Sequence, residues 1–211
     1  MQPLDCPNWE YENHAQRGVI RIRVADIIVD LATRQIDTLA LAVDTRPHHL
    51  RIFRDVAPIG HEYYAGHYRG EFFRCLRFYL VSVPGDNRVG ASPWSVQFLM
   101  KEMSAEIRAG ILALDANVLL SDKQKLQYIV ALACHVLVRF FTVHPYANGN
   151  GHAGRLLVWG ILGRYGYWPR HWPVDPRPPD PPYTELIFRH RNGDTSPLEK
   201  YLLQQILAPS A

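Results

Sequence analysis

The chain has 211 residues, 47% of them hydrophobic and 20% charged, and it carries a formal net charge of +3 at pH 7. This length is enough for one domain with a hydrophobic core, and this composition excludes a disordered or fibrous protein. The small net charge, without a dense run of lysine and arginine, argues against a nucleic-acid-binding arm. We therefore expect one main globular domain that does not bind nucleic acid.

The cysteines and the apolar segments bear on the compartment. Cys6, Cys75 and Cys134 are widely spaced and odd in number, a pattern that predicts neither a disulfide framework nor a zinc site, so we expect a reducing compartment. The longest apolar run, residues 129–138, is shorter than the roughly 20 residues of a membrane span. Residues 1–5 lack the features of a signal peptide. The sequence predicts a soluble protein that acts in the cytoplasm, or is delivered into another cell's cytoplasm, with no membrane partner.

The first half of the chain predicts helices and one hairpin. Residues 19–41 have apolar side chains at mixed helical spacing, which predicts a helix without defined limits. Residues 78–89 are β-prone on both sides of the turn signal Pro84-Gly85-Asp86-Asn87, and they predict a short β-hairpin. Ser92-Pro93 suits a helix cap followed by the first helical position, so a helix is expected over residues 96–112.

The second half predicts four more helices. Residues 122–143 are apolar on nearly all faces, which is typical of a core helix, and residues 152–165 predict a second, very apolar helix. Seven prolines between positions 169 and 182 exclude a helix or a central strand there. Residues 183–191 and 196–207 again have helical spacing. The sequence as a whole predicts a mainly α-helical fold.

A glycine-rich loop with a histidine joins the two most apolar helices. Gly149 and Gly151 permit positive φ angles and let a ligand approach the backbone closely. The free N–H groups at the start of the following helix, together with the helix dipole, form an anion site suited to phosphate. Arg155, one turn into that helix, can point back to the same place. The loop therefore predicts a phosphate-binding site with His144 beside it.

These residues resemble the signature of the Fic (Fic/Doc, Fido) family, which runs His-Pro-Phe, any residue, Asp or Glu, Gly-Asn-Gly-Arg, two residues and Arg. Here it reads His144-Pro145-Tyr146-Ala147-Asn148-Gly149-Asn150-Gly151-His152-Ala153-Gly154-Arg155. The likeness covers about residues 60–205. It implies a mainly α Fic fold, a helical bundle with a small β-hairpin flap, in which residues 1–60 form an N-terminal helical extension and residues 61–211 the Fic domain.

The resemblance also implies an activity, that of a protein adenylyltransferase (AMPylator) using ATP. His144 would be the general base that takes the proton from a Ser, Thr or Tyr hydroxyl of a target protein. The hairpin at residues 82–92 would align the target segment by strand addition. A separate antitoxin or inhibitor chain and a homodimer are further partners that the resemblance allows. The residues that would bind the nucleotide phosphates are Asn148, Gly149, Asn150, Gly151, His152 and Arg155.

Two departures from the signature leave alternatives open. Asn148 replaces the acidic residue that holds Mg²⁺, so it would bind the metal weakly or serve only the turn. His152 replaces the first arginine and carries full charge only below neutral pH. The chain is therefore either an active adenylyltransferase, a Fic-type transferase of another phosphate-containing group, or a degenerate Fic domain that binds nucleotide or a protein partner without catalysis. Glu199 imperfectly matches the family's inhibitory motif, and we interpret it as a surface residue.

Overall fold

The computed structural model describes residues 6–83 and 86–207. In these residues the chain forms eight α-helices and three single-turn 3₁₀ helices, without a β-strand. The mainly α-helical class predicted from the sequence is confirmed. The α-helices are α1 (Gly18–Ala32), α2 (Thr38–Val43), α3 (Arg46–Phe53), α4 (Pro93–Ala116), α5 (Asp122–Val143), α6 (Asn150–Gly163), α7 (Tyr183–Arg191) and α8 (Ser196–Leu207). The 3₁₀ helices are Tyr11–Asn13, Glu62–Tyr64 and Leu76–Phe78.

Helix α6 lies at the centre of the fold, and every one of its residues except Gly151 is buried. Helix α5 packs along one side of it and α2 along another, while α4 and α8 pack against α5. A Cβ at Gly160 would come within 2.9 Å of the Thr38 carbonyl oxygen, so glycine at this position allows the close approach of α2. A helix that is apolar on nearly all faces is expected where neighbours cover it on several sides.

Helix α5 is the one helix of residues 6–83 and 86–207 that is long and apolar enough to cross a membrane by length and composition. Half of its most apolar window is buried inside the fold, and residues such as Ile129, Leu137 and Phe140 lie in the hydrophobic core. The core helix of a globular protein satisfies the same criteria.

The single helix expected over residues 19–41 is wrong, because the chain forms α1 and α2 separated by a five-residue connection. Asp37 begins the second helix, since its carboxylate accepts a hydrogen bond from the Ala40 N–H at 2.6 Å. A side-chain acceptor in this position is a strong helix N-cap. The apolar periodicity continued across the break and therefore concealed it.

The β-hairpin expected over residues 78–89 is not seen in the described part of the chain. The structure has a 3₁₀ turn at Leu76–Phe78 and a single antiparallel bridge between Val83 and Asp86, and the turn residues 84 and 85 lie outside the described ranges. A single bridge is far below the length of an ordinary strand pair.

The chain after this bridge pairs with a helix instead of with a strand. The Gly90 and Ala91 N–H groups donate to the carbonyls of Thr142 and Val143 at the end of α5. A helix leaves its last carbonyls without intrahelical partners. These carbonyls therefore take the backbone donors that a second hairpin strand would have used.

The residues before position 60 share the core of the remaining chain. Ile27 and Leu31 of α1, Leu41 of α2 and Phe53 of α3 belong to the same buried cluster as the apolar residues of α5 and α6. The predicted helical extension is thus packed against the centre of the fold. The boundary at residue 60 stays a prediction.

Cys6 and Cys75 form a disulfide bond with a Cα–Cα distance of 5.5 Å, while Cys134 is free and buried. The expectation that the cysteines would remain unpaired was wrong, because partners separated by 69 residues have no local sequence signal. Disulfides persist mainly in oxidising environments, so the bond counts against the predicted reducing compartment. The cytoplasmic location stays a prediction.

Reducing this disulfide will lower the free energy of unfolding by about 2 to 4 kcal/mol, because the bond closes a long loop and restricts the unfolded chain. Urea unfolding with and without dithiothreitol measures the change. A Cys6→Ser/Cys75→Ser double variant is the control, and it should unfold at the midpoint of the reduced protein in both conditions. Free thiols at both positions in the unreduced protein would contradict the assignment.

Candidate functional site

His144 lies directly after α5 in the left-handed region, at φ +53°. Such a φ is uncommon for a residue other than glycine. The next residue, Pro145, disfavours the helical conformation for the residue before it, so α5 ends here. Its terminal hydrogen bond, from the His144 N–H to the Phe140 carbonyl, is 2.8 Å long.

Arg69 holds this helix end from inside the protein. Its guanidinium is fully buried, with a relative exposure of 0%, and it donates hydrogen bonds to four backbone carbonyls. Burial lowers the pKa of Arg69 to about 10, which still leaves the group charged at neutral pH. The acceptors are His144 at 2.8 Å, Tyr79 at 2.9 Å, and Ala91 and Val143 at 3.0 Å.

Asn150 closes the loop between α5 and α6. Its side-chain oxygen accepts from the Tyr146 N–H and its side-chain nitrogen donates to the Tyr146 carbonyl, both at 2.9 Å. The Tyr146 ring is fully buried and its hydroxyl is hydrogen-bonded to the hydroxyl of Thr45 at 2.7 Å. Tyr146 therefore anchors the loop in the core of the protein.

His49, which the sequence did not single out, supports the same loop from α3. Its Nδ1 accepts from the Gly66 N–H and its Nε2 donates to the Asn148 carbonyl, each at 2.9 Å. These two partners define a neutral tautomer. Burial lowers the pKa of His49 to about 3, and its ring stacks on that of Tyr146 at 3.7 Å.

Asn148 and Gly149 contact residues from the N-terminal quarter of the chain, namely Trp9 and Phe53. The Asn148 amide nitrogen donates to the Trp9 carbonyl, and its side-chain oxygen accepts from the Gly149 N–H, both at 2.7 Å. A Cβ at Gly149, which has φ +78°, would lie 2.5 Å from the Phe53 ring. The Asn148 side chain and the Gly149 N–H are engaged within the turn, and the phosphate and metal roles of Asn148 and Gly149 stay predictions.

His152 is buried in a polar cluster behind α6. Its Nε2 donates to an Asp175 carboxylate oxygen at 3.1 Å, and its Nδ1 lies 3.4 Å from the Tyr11 hydroxyl. Arg17 also contacts Asp175, at 3.3 Å. Burial lowers the pKa of His152 below its usual value, although Asp175 acts in the opposite direction. His152 is therefore a neutral partner of Asp175 and does not line the site beside His144.

Arg155, one turn further along α6, is also buried, with 4% of its surface exposed. Its Nε and Nη2 both donate to the Val174 carbonyl, at 3.0 and 2.7 Å. A Cβ at Gly151 would lie 2.9 Å from its Nη1, so glycine leaves room for the guanidinium to fold back along α6. Among the residues described, no carboxylate pairs with Arg155.

A cavity of about 370 Å³ is lined by His144, Asn150, Gly151 and Arg155. It lies where the ends of α5, α6 and α7 meet the segment around Val83 and Val89. Its lining combines apolar side chains with three guanidinium groups and one carboxylate, Asp86. The polar and charged side chains that line it include His144, Asn150, Arg155, Arg177 and Arg191, and the apolar ones include Phe141, Tyr183, Ile187 and Phe188.

The imidazole of His144 is suited to accept a proton in this cavity. Its Nδ1 is buried without a hydrogen-bond partner. Burial, with a further contribution from the charge of Arg69, lowers the pKa of His144 to about 4, so the ring is neutral at pH 7. A neutral imidazole has one unprotonated nitrogen, and anionic groups bound nearby would raise its pKa towards the range of an effective base.

The residues present do not fit a protein-held magnesium ion. Both polar atoms of the Asn148 side chain are engaged in the turn. No group of three or more histidine, cysteine, aspartate or glutamate side chains in residues 6–83 and 86–207 is placed to hold a metal. Asp86 lines the cavity, but it is paired with Arg88 and Arg191.

The structure thus places four of the predicted site residues on one cavity, namely His144, Asn150, Gly151 and Arg155. Glu199 lines a different pocket between α5 and α8, as expected of a surface glutamate. Sequence reasoning missed Arg177 and Arg191. The one feature of the sequence that could have indicated Arg177 as a site residue is its position as a charged residue between prolines.

The family model described as Fic/DOC family matches residues 48–162, which is more than half of the chain. A search of curated protein sequences finds no match to this chain. The fold is similar to the crystal structure of BepC, a VirB-translocated effector protein from Bartonella tribocorum, solved with bound AMPPNP. The TM-score is 0.58 at 17% identity, over 91% of this chain and 88% of BepC. The family match and the helical architecture together show that the chain belongs to the Fic/DOC family.

Proposed function

We propose that this protein is a Fic-type transferase that moves AMP from ATP onto a hydroxyl group of a target protein. The cavity beside His144 would hold the nucleotide, with its phosphates against Arg155 and its base against the apolar side chains of the lining. The AMPPNP bound to BepC is consistent with this choice of ligand.

The observation that carries the proposal is the guanidinium of Arg155. It is buried, it lines the cavity, and the Val174 carbonyl accepts two of its hydrogen bonds. The charge of the nearby Asp175 carboxylate acts on Arg155, but no carboxylate is hydrogen-bonded to it in the described residues, and a buried charge without a directly paired counter-charge is costly to the folded state. A phosphate would supply that counter-charge through charge-assisted hydrogen bonds, which are among the strong ones in proteins.

His144 would then activate the acceptor. As the target hydroxyl oxygen forms a bond to the α-phosphorus, the neutral imidazole takes the hydroxyl proton, the bond between the α-phosphorus and the bridging oxygen breaks, and pyrophosphate leaves. The first turn of α6 directs free backbone N–H groups towards the phosphates. No step is assigned to a metal ion.

The target would approach from the side of Val83, Asp86 and Val89, which form one wall of the cavity. Alignment of the target along residues 82–92 stays a prediction, because that segment forms no strand in its described part. A backbone segment without a complete set of internal partners can still pair with an extended peptide.

A second candidate is nucleotide binding without transfer. It is favoured by His152, which is turned away from the cavity towards Asp175 and brings no positive charge to the phosphates. A third is transfer of a different phosphate-containing group by the same residues.

ATP labelled at the α- or γ-phosphate, incubated with the protein and a cell lysate, distinguishes these candidates. We expect the α-label on a target protein and no γ-label, and a loss of at least about tenfold with Arg155→Ala. The control is Arg189→Ala, which removes an exposed arginine paired with Asp194. The γ-label alone would indicate phosphorylation, and the absence of both labels would contradict AMP transfer.

A further inference from the structure

The proposed function leaves one charge unaccounted for. In the family signature the position of His152 is an arginine, but here the neutral His152 side chain points to Asp175 and Tyr11. We propose that Arg177, from the proline-rich segment between α6 and α7, binds the terminal phosphates in its place. This inference rests on the proposed function, since it assigns a specificity residue to the same cavity.

The segment around Val174 connects the three side chains concerned. The Val174 carbonyl accepts both hydrogen bonds of Arg155, and Asp175 accepts the hydrogen bond of His152. Two residues further along, Arg177 lines the cavity. The segment 174–177 therefore holds His152 away from the cavity through Asp175 and places the guanidinium of Arg177 in the cavity wall.

Arg177 is available to a ligand. Its side chain is 63% exposed, and its ion pair is with Asp180 at 3.3 Å. Asp180 already accepts hydrogen bonds from the N–H and hydroxyl of Thr184 at the start of α7. An exposed ion pair contributes little, so a multiply charged phosphate chain can compete for the guanidinium.

Arg191, the other arginine of the cavity that the sequence did not single out, is held by contacts within the protein. Its side chain is 11% exposed and is held by the Asp86 carboxylate and the Thr142 hydroxyl. It therefore connects α7 to the segment before α4 and offers fewer free donors. Of the two, Arg177 is the one that can reorient onto a phosphate.

Tyr183 provides an independent observation at the same place. It lies in the cavity wall, and its buried hydroxyl has no hydrogen-bond partner in the described residues. Burial raises the pKa of Tyr183 to about 12, while the positive charges of Arg155 and Arg177 both act in the opposite direction. Arg155, Arg177 and Tyr183 line one cavity, and Arg155 is also an electrostatic neighbour of the Tyr183 hydroxyl, so an anion in this cavity would meet two guanidinium groups and a hydroxyl donor.

Calorimetric titration of the purified protein with ATP and with adenosine, in the presence of EDTA, tests this role. Arg177→Ala should weaken ATP binding by about 10- to 100-fold, the range of one charge-assisted contact, and leave adenosine binding unchanged. Arg177→Lys should retain part of the ATP affinity. The matched control Arg189→Ala, in which another arginine of an exposed ion pair is removed, should bind ATP as the unmodified protein does.

The outcomes separate this inference from the proposed function. If Arg155→Ala loses ATP affinity while Arg177→Ala does not, Arg177 is no phosphate ligand and the proposed function stands. Equal losses of ATP and adenosine affinity in Arg177→Ala would show a structural role and also overturn the inference. If the unmodified protein binds no ATP, the proposed function itself fails.

Discussion

Replacing His144 with alanine should reduce the rate of AMP transfer by about 10²- to 10⁴-fold, the range typical of a lost general base. The imidazole lies on the cavity wall and is neutral at pH 7, and because its Nδ1 is buried, Nε2 is the ring nitrogen that a target hydroxyl can reach. ATP affinity should change little, because the phosphates are bound by arginines and backbone N–H groups. Transfer of the α-label to a target protein measures the rate, and calorimetry measures the affinity.

His135→Ala is the matched control for this variant. His135 lies on α5, the helix that precedes His144, is exposed and contacts Glu106 at the surface, so its loss should leave transfer unchanged. The pH dependence gives a second test: the lowered pKa of His144, about 4, keeps the base unprotonated well below pH 6.5. The acid limb of kcat/KM should therefore lie below pH 6.5, and undiminished labelling by His144→Ala would exclude the base role.

The second large effect is expected at Arg69. Arg69→Met should lower the free energy of unfolding by about 4 to 6 kcal/mol, because the His144, Tyr79 and Ala91 carbonyls would lose the Arg69 donor at about 1 to 3 kcal/mol each, while the Val143 carbonyl would keep the Ala91 N–H. Part of that loss is offset, since the desolvation of the guanidinium is also removed. Urea unfolding followed by circular dichroism measures the difference.

Arg69→Lys should be almost as destabilising, because one ammonium group cannot reach carbonyls on several sides as a planar guanidinium does. The control Arg51→Met removes an exposed arginine paired with Asp30 and should cost about 1 kcal/mol or less. A stability of Arg69→Met within 1 kcal/mol of the unmodified protein would show that the helix end at His144 does not depend on Arg69.

The elements that the sequence predicted well are those whose information is local. The expected bounds of α7 and α8 agree with the structure, and the core helix at 122–143 was also correct, because each has clear apolar periodicity with defined ends. The hairpin at residues 78–89 was not seen in the described part of the chain, and directly after it the backbone donors of Gly90 and Ala91 pair with the end of α5. Such a partner is distant in sequence and leaves no periodic signal.

For the candidate site as well, the local features were predicted and the features that depend on distant residues were not. The spacing within the loop predicted that His144, Gly151 and Arg155 would share a place, and they line one cavity. The sequence could not tell which way His152 would face, because that depends on Asp175, 23 residues away and packed from behind α6. The contribution of Arg177 was hidden for the same reason, since its segment has no regular structure.

A crystal structure of the protein soaked with AMPPNP tests the central claim most directly. The account predicts the nucleotide in the cavity between α6 and α7, with its α-phosphate facing the His144 imidazole and its terminal phosphates within hydrogen-bond distance of Arg155. A nucleotide bound at another surface, or a cavity that contains no phosphate at saturating concentration, would contradict it.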